Sequence, residues 1–167
     1  TRLFWLLICL GYFWTWYFFS IKLGFFGAHF YTLAFNFEKN IPFIPWTFFI
    51  YFCIYLSPAL VFMLIGREHE LKNLIISFFI CVATAKTIWL FYPVQYEMRP
   101  VDLSHYGLMA PLLAWLYTTD AHGLNCFPSL HVAFAFLFYF VIKSYAAPYA
   151  KWFLLHAILV AISTLTL

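Results

Sequence analysis

Apolar residues recur in long blocks along this chain, and polar residues gather between the blocks. A helix needs about 20 mostly apolar residues to cross a bilayer core of about 30 Å. Four blocks have that length or nearly so, and Phe127 and Pro128 can extend a shorter fifth block into the interface. The five blocks are residues 3–23, 46–65, 71–92, 129–142 and 147–167. The pattern predicts an all-α, polytopic membrane bundle with five transmembrane helices in a single domain, residues 1–167.

The composition supports a membrane protein and excludes other classes. Hydrophobic residues make up 66% of the chain and charged residues 9%, against roughly 25% charged residues in soluble domains. Apolar blocks along the whole length do not resemble a single cleavable signal peptide. The net charge of +3 is small and scattered, so we expect no nucleic-acid partner. Three of the four cysteines lie within apolar blocks, which argues against a disulfide framework.

The distribution of basic residues predicts the orientation. Five crossings place the linkers alternately on two sides. The side of the N-terminus carries five basic residues close to helix ends, and the other side carries three. The first group is Arg2, Arg67, Lys72, Lys143 and Lys151, and the second is Lys22, Lys39 and Arg99. Because basic residues near helix ends stay cytoplasmic, we expect a cytoplasmic N-terminus and a periplasmic or lumenal loop at 93–128.

That loop and the helix start after it collect most of the polar side chains that could carry chemistry. They are Glu97, Arg99, Asp102, His105, Asp120, His122, Asn125, Ser129 and His131. The apolar residues between Asp102 and Tyr117 predict a short interfacial helix that covers the site as a lid.

The stretch Pro-Ser-Leu-His at 128–131 predicts an anion site at a helix start. Proline suits the first turn of a helix, and the unpaired N–H groups there attract anions. Ser129 adds a hydroxyl donor, and the imidazole of His131, with an ordinary pKa of about 6.5, suits acid and base catalysis. Arg99 offers the bidentate fork that phosphate prefers. The alternative is an ordinary helix start whose histidine is only an interfacial polar group.

The Arg-Pro pair at 99–100 and the stretch at 128–131 resemble the type-2 phosphatidate phosphatase superfamily, which also includes bacterial acid phosphatases and vanadium haloperoxidases. The second motif of that family, Pro-Ser-Gly-His, matches except at Leu130, which resembles the inositol phosphorylceramide synthase branch. In the first motif, Lys-x6-Arg-Pro, Tyr92 stands at the lysine position and supplies no positive charge. The resemblance covers about residues 71–167.

The third motif of the family, Ser-Arg-x5-His-x3-Asp, would begin at Ser163, with Thr164 at the arginine position. On this alignment the nucleophilic histidine is the third residue beyond Leu167. We therefore expect the chain to be C-terminally truncated, with a sixth helix missing. We also expect the 167-residue piece to bind an anion without turning over substrate.

The resemblance implies phosphoryl transfer through a phosphohistidine at the extracytoplasmic face, with a membrane lipid phosphate as substrate and no metal or cofactor. Water as acceptor would make the protein a phosphatase, and a hydroxyl acceptor would make it a phosphotransferase. His131 would protonate the leaving oxygen. The phosphate would be bound by Arg99, Ser129 and Lys86, with support from Asn125, Asp120 and Ser163.

Three alternatives stay open. Lys86 lies inside the third predicted span and can either snorkel to the outer interface or replace the missing motif lysine. His122, Cys126 and His131 could ligate a metal, although a structural zinc site needs four ligands. The protein could also be non-catalytic, either a binder of lipid phosphate or a small transporter subunit.

Overall fold

The computed structural model describes residues 2–23, 31–32, 38–95, 99–100, 102–119 and 126–167. Among these residues the regular structure is helical, with one isolated bridge between Tyr31 and Val94. The prediction of an all-α fold is confirmed. Seven α-helices follow one another in the described residues, α1 (Arg2–Leu23), α2 (Thr47–Cys53), α3 (Ser57–Leu64), α4 (Glu68–Phe91), α5 (Ala110–Thr119), α6 (Leu130–Tyr145) and α7 (Ala150–Thr166).

Three helical segments among the described residues are long and apolar enough to cross a membrane. They are Thr47–Leu64, Glu68–Phe91 and Ala147–Thr166. Two further apolar helical stretches are shorter: Arg2–Thr15, which is part of α1, and Leu130–Tyr145, which is α6. The lengths support a membrane protein, whereas the predicted count of five spans rests on the sequence alone for these two helices.

The second predicted span is interrupted at its centre, between α2 and α3. Pro58 has no N–H to donate to the carbonyl of Ile54, four residues earlier, so an α-helix cannot continue through this point unchanged. Instead, Tyr55, Leu56 and Ser57 each donate to the carbonyl three residues before, over 3.1–3.2 Å. The tighter turn rotates the residues on either side relative to a straight helix.

Two contacts between helix ends mark opposite ends of the described bundle. At one end the Arg2 guanidinium donates to the carbonyl of Gly66 over 2.7 Å. At the other end the Trp89 indole N–H donates to the carbonyl of Pro128 over 3.2 Å.

The main core lies between α1, α3, α4, α6 and α7. Phe78 of α4 stacks on Phe134 of α6 with ring centroids 4.7 Å apart. A smaller apolar cluster joins Phe48, Met109, Leu113, Leu116 and Leu167, and it fixes α5 against α2 and the end of α7. The predicted helix between Asp102 and Tyr117 is therefore present, as a 3₁₀ segment Ser104–Met109 followed by α5.

Candidate functional site

The helix predicted at the Pro-Ser-Leu-His stretch begins at Leu130, two residues after Pro128. Ser129 is its N-cap, and the Ser129 hydroxyl oxygen accepts the N–H of Val132 over 3.5 Å. Pro128 lies directly before the cap rather than in the first turn, and the helix starts within two residues of Pro128, as the sequence predicts. Capping by a serine is the ordinary device for a helix start, because its oxygen satisfies an N–H that has no partner within the helix.

His131 lies in the first turn of α6 and contacts two tyrosines of the interrupted span. The Tyr51 hydroxyl lies 3.2 Å from Nδ1, and the Tyr55 hydroxyl lies 3.2 Å from Nε2. The Tyr51 ring also stacks on the imidazole, with centroids 4.0 Å apart and planes 24° apart. The orientation of the imidazole is therefore fixed by contacts to both ring nitrogens and to one face.

A cavity of about 420 Å³ adjoins His131, within the size range of small-molecule sites, roughly 300–1,000 Å³. Its lining is almost entirely apolar and comes from α1, α2, α5, α6 and the turn after α2. The lining residues are Leu10, Phe13, Trp14, Tyr51, Phe52, Tyr55, Trp115, Leu116, Thr119 and His131. Helix α5 forms one wall, in the position expected of a lid.

Of the described candidate residues, only His131 lines this cavity. Arg99 instead places its guanidinium 4.8 Å from the ring centroid of Tyr117, and the Tyr117 hydroxyl donates to the carbonyl of Leu167 over 3.3 Å. Arg99 thus lies over the Tyr117 ring of α5, and a hydrogen bond joins that ring to Leu167, directly after α7. Arg99 and Ser129 do not line this cavity together with His131.

Lys86 is buried beneath the start of α6, with 4% of its surface exposed. Its ammonium lies 4.4 Å from the centroid of the Trp89 ring, and Trp89 in turn bonds the carbonyl of Pro128. Such a cation over an indole face is electrostatically favourable. Because Lys86 is buried, it does not reach water as the snorkelling alternative requires. Trp89 connects its ammonium to the backbone just before α6.

The supporting candidates divide between described and undescribed positions. Asp120, Asn125, Glu97 and His122 lie outside the described residues. Ser163 is fully buried in α7, and its hydroxyl donates to the carbonyl of Val160 over 2.7 Å. An intrahelical bond of this kind satisfies the hydroxyl without a ligand.

Asp102 and His105 form an exposed pair before α5. A carboxylate oxygen of Asp102 accepts the N–H of Ser104 over 2.9 Å, and this bond lowers the pKa of Asp102. His105 Nε2 lies 3.3 Å from the same carboxylate. Because the pKa of Asp102 is lowered, its bond to Ser104 stabilises the fold fully above the ordinary pKa of aspartate. This stabilisation is lost as the pH falls through the lowered pKa.

No group of three histidine, cysteine or acidic side chains with metal-binding geometry occurs in the described part of the chain. The zinc alternative drew on His122, which lies outside the described residues, so that alternative stays a prediction.

Comparison with family models, with curated proteins and with solved structures gives no match.

Three side chains that the sequence pattern did not single out contact histidines in the described part of the chain. Tyr51 and Tyr55 bond His131, and the Ser57 hydroxyl lies 2.9 Å from Nε2 of His156. Pro58 indicates an interruption of the helix in the sequence, but the contacts themselves depend on how the interrupted span packs against α6. Ser57 is buried, so we interpret its contact with His156 as a structural hydrogen bond between the interrupted span and α7.

Proposed function

We propose that this chain belongs to a membrane-embedded lipid-phosphate phosphatase or phosphotransferase that works at the extracytoplasmic face through a phosphohistidine. The substrate is a lipid with a phosphate headgroup, and the acceptor is water or a hydroxyl. His131 is the candidate proton donor to the leaving oxygen.

One observation carries the proposal: the imidazole at the first turn of α6 also forms part of the wall of an aromatic cavity. A lipid phosphate needs an apolar volume for its chain and a polar, anion-attracting group for its headgroup. The cavity provides the first, and the N-terminus of α6 with His131 provides the second. A soluble phosphate ester would not need this apolar volume.

The basic residues then have distinct roles in the proposal. Lys86 places a positive charge under the start of α6, which favours a phosphate there. Arg99 lies over Tyr117, whose hydroxyl bonds Leu167 directly after α7, the helix that the family resemblance assigns to the third motif. Lys86 and the N–H groups at the start of α6 favour the negative charge that develops on the phosphate, so the proposed reaction requires no metal ion.

The test is a turnover assay of the full-length protein in lipid–detergent micelles. Phosphatidate, an isoprenyl diphosphate and a phosphoinositide serve as substrates, each with and without an alcohol acceptor, and glycerol phosphate is the soluble control. We expect phosphate release or transfer from at least one lipid and none from glycerol phosphate. Turnover of the soluble ester alone, or of no lipid substrate, would contradict the proposal.

A second function, a non-catalytic binder of lipid phosphate, is favoured by the contacts of His131. Both ring nitrogens already bond tyrosine hydroxyls, as expected for a packed polar side chain. Binding of a lipid phosphate to the full-length protein without any turnover would favour this function.

The proposed orientation predicts a labelling pattern. In a background in which the four cysteines are replaced by alanine, Ser104→Cys should react with a membrane-impermeant thiol reagent in intact cells, and Arg67→Cys should be protected. Both positions are exposed, so the difference reports the side of the membrane. Labelling of Arg67→Cys with protection of Ser104→Cys would contradict an extracytoplasmic site.

A further inference from the structure

The two tyrosines that contact His131 differ in how firmly they are held. Tyr51 lies in the regular helix α2, is half-buried, and stacks its ring on the imidazole. Tyr55 lies in the turn where the span is interrupted, is 39% exposed, and meets the imidazole edge to face at 87°. The Nδ1 side of the imidazole is therefore enclosed, and the Nε2 side is the open one.

The hydroxyls can accommodate both charge states of the histidine. Neutral imidazole donates through one nitrogen and accepts through the other, whereas imidazolium donates through both. A tyrosine hydroxyl can donate or accept, so Tyr51 and Tyr55 can satisfy either form by rotating their O–H bonds. A proton donor needs this property, since it changes charge in each turnover.

We propose that Tyr51 is a positioning residue for His131, and that the Tyr55 hydroxyl occupies the place on Nε2 that the leaving oxygen of a bound lipid phosphate takes. The inference rests on the proposed function for the identity of the oxygen. Substrate binding breaks the bond between Tyr55 and Nε2, and the leaving oxygen takes its place. As the nucleophilic histidine that the family resemblance places beyond Leu167 bonds to phosphorus, the bond from phosphorus to the leaving oxygen breaks. The leaving oxygen takes the proton from Nε2 and departs as the alcohol, while Tyr51 keeps its contact with Nδ1.

The cavity supports this assignment. Tyr55 and His131 both line it, so the contact between them lies where a bound chain would end. Tyr55 also stacks on Trp14 of α1, with ring centroids 6.5 Å apart and planes 10° apart, and it is 39% exposed, so its ring has room to move when its hydroxyl leaves Nε2.

The kinetic test compares Tyr51→Phe with Tyr55→Phe in the full-length protein. Tyr51→Phe should lower kcat about 10-fold or more with little change in KM, because the imidazole loses its fixed orientation. Tyr55→Phe should lower KM roughly 2- to 10-fold with kcat unchanged, because the substrate no longer displaces a hydrogen bond. Tyr139→Phe, on α6 beside Lys143, is the matched control and should behave as the wild type. Equal effects of the two variants on kcat would overturn the proposal.

A second measurement does not depend on turnover. The chain has six histidines, and the ¹⁵N resonances of His131 in histidine-labelled protein are assigned by their loss in His131→Gln. Tyr51→Phe should shift the Nδ1 resonance and Tyr55→Phe the Nε2 resonance, whereas Tyr139→Phe should shift neither. These shifts without turnover of any lipid would place the failure in the proposed function, and unchanged resonances in both variants would overturn the two contacts.

Discussion

Replacing His131 with glutamine in the full-length protein should reduce kcat on the preferred lipid phosphate by roughly 10²- to 10⁴-fold, the usual contribution of a positioned general acid. Glutamine keeps a hydrogen-bonding side chain of similar length, so bonds to Tyr51 and Tyr55 can persist. It cannot deliver a proton to a leaving oxygen. The loss should therefore appear in kcat, measured from initial rates at saturating lipid.

The matched control is His69→Gln. His69 is exposed in the first turn of α4, at the opposite end of the bundle, where it bonds Asn73. It should keep wild-type turnover. Equal losses in the two variants would point to a general effect of losing a histidine, and full activity in His131→Gln would remove His131 from the chemistry.

Replacing Arg99 with alanine should raise KM about 10- to 100-fold, because a hydrogen bond to a charged group contributes roughly 1.5–3 kcal/mol. The guanidinium lies over the Tyr117 ring of α5, outside the lining of the cavity, and in the proposal it binds the headgroup from there. Arg99→Lys keeps the charge but not the planar fork, so we expect an intermediate KM. Initial rates over a range of lipid concentrations give these values.

Arg67→Ala provides the control for the loss of an arginine. Arg67 is exposed at the other end of the bundle, with a 3.8 Å ion pair to Glu70 that contributes little in water. Its KM should equal that of the wild type. An unchanged KM in Arg99→Ala would show that Arg99 does not bind the phosphate and that its role is limited to the contact with Tyr117.

The apolar pattern was sufficient to predict the helices, because block length and composition largely determine a membrane helix. The blocks from residue 46, from residue 71 and from residue 147 correspond to the three segments long enough to span. The interruption at 54–56 was not predicted, since hydropathy does not register the lost N–H of Pro58. Tyr55, whose hydroxyl contacts His131, lies within that interruption.

The site was predicted only in part, because motif spacing gives neighbours along the chain and not across helices. The helix start beside Ser129 and His131 follows from local sequence. The tyrosine contacts depend on how α2 packs against α6, which no local pattern contains. Arg99 illustrates the converse, since its place in a motif predicted a shared pocket, whereas the described structure places it over Tyr117.

The most direct measurement for the proposed chemistry is transfer of label from a ³²P-headgroup lipid to the full-length protein, quenched within the first turnover. The proposal predicts a labelled protein whose phosphoryl group is stable in alkali and lost in acid, as expected of phosphohistidine. His131→Gln should form it more slowly, because the leaving oxygen goes unprotonated. A substrate that turns over without labelling the protein, or a label that survives acid, would contradict the account.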